Sequence, residues 1–140
     1  MCIRDRRGCS AVAVVASPLR RAVQTADLVA AEIGVAVTVD EGLRETDFGD
    51  WEGYTFAEVQ QRWPDQLSAW LASPDVAPPA GESFVDTARR VRQARDRVLA
   101  AYGGHTVVVV SHVTPIKTLV RLALEAVSYT HLTLPTNREV

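Results

Sequence analysis

Cysteine is nearly missing from this chain. Cys2 and Cys9 are the only two, both close to the N-terminus and in no zinc or disulfide spacing. Neither a thiolate metal site nor a disulfide framework is therefore expected, and a reducing, cytoplasmic setting is the natural one. An excess of one charge is lacking as well: 15 Lys and Arg stand against 17 Asp and Glu. That balance excludes a polybasic surface, so no direct nucleic-acid binding by this domain is expected. No apolar run approaches the roughly 20 residues that span a bilayer, and the first residues lack the apolar core of a secretory signal. No membrane partner follows. Histidine occurs three times, so each imidazole matters. What is present is an ordinary globular composition, 47% hydrophobic over 140 residues, enough for one domain with a core of its own.

The clearest segment is Val107-Val108-Val109-Val110-Ser111-His112. Four β-branched residues in a row predict a strand buried on both faces, as in a parallel sheet covered by helices. His112 sits where that strand ends, and Pro115 opens an apolar helix over 114–126 with Ile116, Leu119, Val120, Leu122 and Ala123 inward. Residues 11–16 form a second apolar run. Ser17 is read as the cap and Pro18 as the first position of a helix whose stripe runs Ala22, Val23, Ala26, Val29, Ala30 and Ile33 before Gly34. A short, edge-like strand is expected at 35–39 and an aperiodic loop at 41–54. Helices follow at 55–63 and 65–71, divided by Pro64. Three prolines then make 73–81 a rigid connection. The longest helix, 83–102, buries Phe84, Ala88, Val91, Ala94 and Val98, and leaves Arg89, Arg90, Arg92, Arg95 and Arg97 on a solvated face. Alternating strands and helices give an α/β domain of three layers with a mostly parallel sheet.

In open α/β sheets, ligands bind beyond the carboxyl ends of the strands. Two segments present chemistry there. One is Ser17-Pro18-Leu19-Arg20-Arg21, where a helix starts directly after a strand and its free N–H groups face an incoming anion. Arg21 can add a bidentate guanidinium, whereas Arg20 is turned about 100° around the helix. The other is His112, followed by the amide of Val113. By itself His112 could simply cap the next helix. The loop 42–53 adds Glu45 among apolar anchors Phe48 and Trp51, a setting in which a partly desolvated carboxyl is suited to donate a proton.

Together these pieces resemble the histidine phosphatase superfamily, which includes the cofactor-dependent phosphoglycerate mutases. Ser17 to Ala22 with Thr25-Ala26 is similar to its Ser-Pro-Leu-x-Arg-Ala motif. Leu43, Glu45, Phe48-Gly49 and Gly53 are similar to its acid motif. Gly81-Glu82-Ser83 and Ser111-His112 complete the order. The resemblance implies a phosphoglycerate mutase-like fold and a small phosphorylated metabolite as partner, with neither metal nor cofactor. It makes Arg21, Ser17, His112 and Val113 the phosphate site and Glu45 the acid for the leaving group. A phosphoryl transition state spreads negative charge, and positioned cations and donors stabilise it.

The family's nucleophile is the histidine of an Arg-His-Gly motif on a first strand, and this sequence has no Arg-His-Gly. His105 cannot obviously replace it, lying seven residues before His112, or about 23 Å along an extended strand at ~3.3 Å per residue. The resemblance thus implies a phosphohistidine-forming acid phosphatase in a longer parent, with its first strand and nucleophile missing here. A phosphoglycerate mutase and a non-catalytic phosphate-binding pseudo-enzyme are the alternatives. The wording Ser111-His112-Val113-Thr114-Pro115-Ile116-Lys117 is similar to the phosphatase domain at the C-terminus of actinobacterial bifunctional ribonuclease H/acid phosphatases, which implies a ribonuclease H domain upstream. Residues 1–6 and 127–140 resemble translated sequencing-adapter read-through, leaving 7–126 as the expected domain.

Overall fold

The structure is a computed structural model that describes residues 10–124; the end segments 1–6 and 127–140 lie outside them. Among the described residues, three parallel strands form one sheet in the order β2-β1-β3. These are β1 (Ala11–Ala16), β2 (Val37–Val39) and β3 (Thr106–Val110). Helices α1 (Arg20–Ile33), α2 (Phe56–Arg62), α3 (Pro64–Ala72), α4 (Phe84–Tyr102) and α5 (Val113–Ala123) complete the element order.

Side chains alternate across a strand, and β1 uses both faces. Val14 and Ala16 pack on Ala26 and Ala30 of α1. Val15 faces the other way, against Leu43 and Ala94, with Val98 and Leu119 beside it. The result is three layers: α1, the sheet, and α4 with α5. Alanines at 22, 26 and 30, all buried, let α1 approach the sheet closely. Its end is set by Gly34 in the left-handed region at φ 74°, donating its amide to Ala30 O. A separate apolar cluster joins α2 and α3 through Trp51, Val59, Leu67 and Trp70.

Four expectations need correction. The four-valine strand is covered on both faces but only half-buried along Val107–Val110, because among the described residues nothing pairs with its outer edge. The fully buried strand is β1, held between two neighbours. The stripe of α5 is likewise only half covered: Leu119, Val120 and Leu122 are half-buried, Ile116 is 39% exposed, Ala123 is exposed, and Pro115 is its one buried residue. Ile33, the last residue of α1, is exposed as well. Finally, the loop 41–54 is not shapeless. It holds two 3₁₀ turns, Glu41–Leu43 and Gly49–Trp51.

Glycine is required at two points of that loop: a Cβ on Gly42 would lie 2.9 Å from both Ala94 Cβ and Arg90 O, and Gly49 is tighter still. Gly49 has φ 54°, and a Cβ there would lie 2.1 Å from the carbonyl oxygen of Pro79. Gly53 has φ 83° with open space around it. Gly49→Ala should therefore lower stability by clearly more than Gly53→Ala, for which left-handed backbone strain alone predicts about 1–2 kcal/mol. Urea unfolding of the two variants measures the difference, and equal losses would refute the packing argument.

Candidate functional site

The β1–β3 pairing sets Ala16 opposite Val110, so both chains leave the sheet at the same end and side by side. The amide of Ser17 extends the ladder to Val110 O at 2.9 Å. One residue further along β3's chain, Ser111 donates to Leu43 O at 2.7 Å, which ties the strand end to the acid loop. His112 follows. It occupies the N-cap position of α5, but its side chain makes no cap bond. Instead its Nε2 lies 2.7 Å from Ser17 Oγ, and both residues are buried. The imidazole is thus spent on a contact between two strand ends, not on capping a helix.

Ser17 itself departs from its expected role. The cap of α1 is Leu19, and it has no side-chain bond. Pro18 precedes the helix instead of opening it, which leaves the Ser17 hydroxyl to accept from the Leu19 amide at 3.3 Å while meeting His112. Arg21 stands in the first turn of α1, as expected. It is exposed, and among the described residues its guanidinium has no hydrogen bond or ion pair. Val113 opens α5 and is 60% exposed.

Glu45 is half-buried. Its Oε1 accepts from the amides of Thr46, at 2.9 Å, and Thr114, at 3.3 Å. A loop carboxylate is thereby joined to the N-terminus of α5, two residues beyond His112. Arg21, Glu45 and Arg90 all act electrostatically on His112, so residues far apart in sequence share one locality.

The arginines of α4 are not all solvated. Arg97 pairs with Asp40 through two bonds of 2.7 and 2.8 Å, and Arg90 turns into the acid loop. Arg90 donates to the carbonyls of Gly42, Arg44 and Glu45 and pairs with Glu82. Sequence reasoning missed it because helical spacing gives a residue's direction but not what packs there. The one available signal was its place eight residues after Glu82 in the Gly81-Glu82-Ser83 motif. That motif also closes the loop from the other side, with Glu82 donating its amide to Asp47 O at 2.9 Å and accepting from Asp47 N at 3.1 Å.

A cleft of about 890 Å³ is lined by Arg21, Arg44, Glu45, Trp51, Tyr54 and Phe56, among others, while Ser17 and His112 lie outside its lining. The cleft is cationic and carboxylic at one end and aromatic at the other. His105 is exposed and contacts Gly103 O at 3.2 Å, before the start of β3 and at the opposite end of that strand from His112. Among the described residues, no three His, Cys, Asp or Glu side chains cluster as a metal site, and no helix is long and apolar enough to cross a membrane.

Residues 4–137 match the family model of the histidine phosphatase superfamily, branch 1. The chain belongs to that superfamily of enzymes. A bifunctional protein of Mycobacterium tuberculosis is 56% identical over 121 residues, covering 86% of this chain and 33% of that protein. A 2,3-bisphosphoglycerate-dependent phosphoglycerate mutase of Methylobacterium is 38% identical over 113 residues, 74% of this chain and 53% of the mutase. The native structure of a mycobacterial glucosyl-3-phosphoglycerate phosphatase superposes with a TM-score of 0.71 at 36% identity, covering 82% of this chain and 59% of that one. The chain therefore spans about a third of its bifunctional relative and little more than half of the other two.

Burial, then the positive field of Arg21, holds the His112 imidazole below its ordinary value of 6.5; Glu45 opposes this and Arg90 adds to it. The unfolded chain consequently binds more protons than the folded one just below that pH. The contribution of His112 to stability is complete above 6.5 and is lost as pH falls through the lowered folded value. Thermal midpoints should fall between about pH 7 and pH 5 in the wild type and fall less in His112→Gln. Equal slopes in that window would remove His112 as the source. Asp40, lowered chiefly by Arg97, acts in a separate, more acidic range below 3.8.

Proposed function

We propose that this chain is the phosphate-binding part of a phosphomonoester hydrolase that works through a phosphohistidine and acts on a small phosphorylated metabolite in the cytoplasm. The observation that supports it most is the buried Ser17–His112 contact at the shared end of two parallel strands, with Arg21 and Glu45 acting on the same imidazole. Arg21 would grip the equatorial phosphate oxygens through its unused guanidinium donors, and the Val113 amide at the start of α5 would add a further donor. His112, becoming an imidazolium as the dianion arrives, would stabilise the charge spread over the transferring group.

In that reaction a histidine nitrogen attacks phosphorus as the bond to the ester oxygen breaks, and Glu45 gives its proton to the departing oxygen. Water then attacks the phosphohistidine, loses a proton to Glu45 and releases inorganic phosphate. We assign the attacking histidine to a segment upstream of residue 7 in a longer parent, since His105 lies at the wrong end of β3. That a mycobacterial relative is a bifunctional protein, of which this chain covers 33%, supports a second catalytic domain in the parent. That this domain is of the ribonuclease H type rests on the resemblance of Ser111-His112-Val113-Thr114-Pro115-Ile116-Lys117 alone. A phosphate-binding module without turnover is the second reading, favoured by a pocket whose described residues include no free histidine at the site. The upstream coding sequence separates the two: an Arg-His-Gly strand there makes the parent an enzyme.

The chain should bind inorganic phosphate or orthovanadate by calorimetry. Arg21→Ala and His112→Ala should each weaken binding tenfold or more, in line with about 1.5–3 kcal/mol for a lost charged hydrogen bond. The chain alone should not turn over p-nitrophenyl phosphate. Hydrolysis by the pure chain that His112→Ala abolishes would overturn the assignment of the nucleophile to an upstream segment.

A further inference from the structure

Arg90 lines the same cleft as Arg21 and acts on the same imidazole, so on position alone it would be a second anion ligand. Its hydrogen bonds argue otherwise. A guanidinium has five N–H donors. Nε donates to Glu82 Oε2 at 3.1 Å. Nη1 donates to Gly42 O at 2.9 Å and to Arg44 O at 2.7 Å. Nη2 donates to Glu45 O at 2.9 Å and to Glu82 Oε1. Five donors meet five acceptors, and none is left for phosphate unless an internal bond breaks.

The acceptors also say what the group does. Three of them are main-chain carbonyls within four residues, all turned toward one point. Carbonyl dipoles gathered in that way repel unless a multidentate cation sits between them, and a lysine, with three donors, could not also hold Glu82 in a fork. The last carbonyl belongs to Glu45 itself, whose carboxylate meets the amides of Thr46 and Thr114. We infer that Arg90 is the positioning residue of Glu45: it fixes the backbone of 42–45 so that the carboxylate reaches the N-terminus of α5. Glu82 orients the guanidinium and balances its charge, and it clamps Asp47 on the far side of the same loop. This assignment rests on the pocket proposed above, in which Arg21 and His112 hold phosphate and Glu45 is the acid.

The test is nuclear magnetic resonance of the whole chain with inorganic phosphate as the probe. In the wild type, the Thr46 and Thr114 amides should shift together when the solution is acidified, and Glu45→Gln should abolish both shifts. Arg90→Lys keeps the charge, so it should bind phosphate within a few-fold of wild type while losing the Thr114 response. A variant that merely loosens the fold would not separate those two readouts. Should Arg90→Lys fail to fold, the wild type still decides: phosphate should move the Arg21 side-chain Nε–H resonance and leave that of Arg90 in place. An Arg90 shift as large as that of Arg21, or a Thr114 response that survives in Arg90→Lys, overturns the inference while the pocket stands. Phosphate that moves neither Arg21 nor His112 overturns the pocket, and the inference with it.

Discussion

Because Ala16 and Val110 pair in parallel register, two chain segments remote in sequence leave the sheet at one edge and in one direction. Ser17 and His112 then meet without any loop having to bring them together, and the helices that follow, α1 and α5, both start beside that meeting point. A slip of one residue would turn Ala16 and Val110 to the opposite faces and separate the hydroxyl from the imidazole. The buried alternation of β1 prevents that slip. Val14 is committed to α1 and Val15 to α4, so the register that fills the two cores is also the one that forms the site.

The two cleft arginines show how one side-chain type takes two roles through its surroundings. Arg21 projects from the first turn of an exposed helix end, where water satisfies its donors at little cost and an anion can displace that water. Arg90 emerges from the middle of the longest helix into a ring of carbonyls that water could not fill as well. A site for a multiply charged ligand benefits from both: donors that are free, and a frame that does not shift when the ligand's charge arrives. The paired motif of Gly81-Glu82-Ser83 belongs to the frame. Ser83 caps α4 by accepting from Asp86 N, and Glu82 reaches back to the loop, so the start of the helix and the shape of the loop are fixed by adjacent residues.

Much of this was legible in the amino-acid order. Periodicity located α1 and α4, Gly34 marked the end of α1, and the abrupt change from valine to Ser-His located the end of β3. Arg21, Glu45 and His112 stood out because their spacing matched a known pattern. What escaped was whatever depends on partners distant in sequence. Arg97 has no local feature that distinguishes it from Arg89 or Arg92, and Arg90 has only its distance from Glu82; what sets both apart is the loop packed against α4. Thr87, read as neither core nor site, is fully buried because Thr46 offers its hydroxyl a partner at 3.1 Å. The half-buried state of β3 and α5 was invisible for a similar reason: a run of valines states an appetite for burial, and whether a neighbour exists to satisfy it is a property of the sheet.

The aromatic cluster carries a consequence for observing the molecule. All three tryptophans of the chain, Trp51, Trp63 and Trp70, belong to that cluster, with none in the sheet or in α1, α4 and α5. Trp51 and Trp70 meet edge to face at 5.7 Å, and Trp51 also lines the cleft. Tryptophan fluorescence, excited selectively over tyrosine, therefore comes from one corner of the molecule. It reports the packing of α2 and α3 against the acid loop and the arrival of anything in the cleft, while the sheet and α1, α4 and α5 contribute no tryptophan to it. Far-ultraviolet dichroism, dominated by α1, α4 and α5, sees the complementary part, so the two signals together distinguish loosening of the loop and its aromatic wall from loss of the parallel sheet.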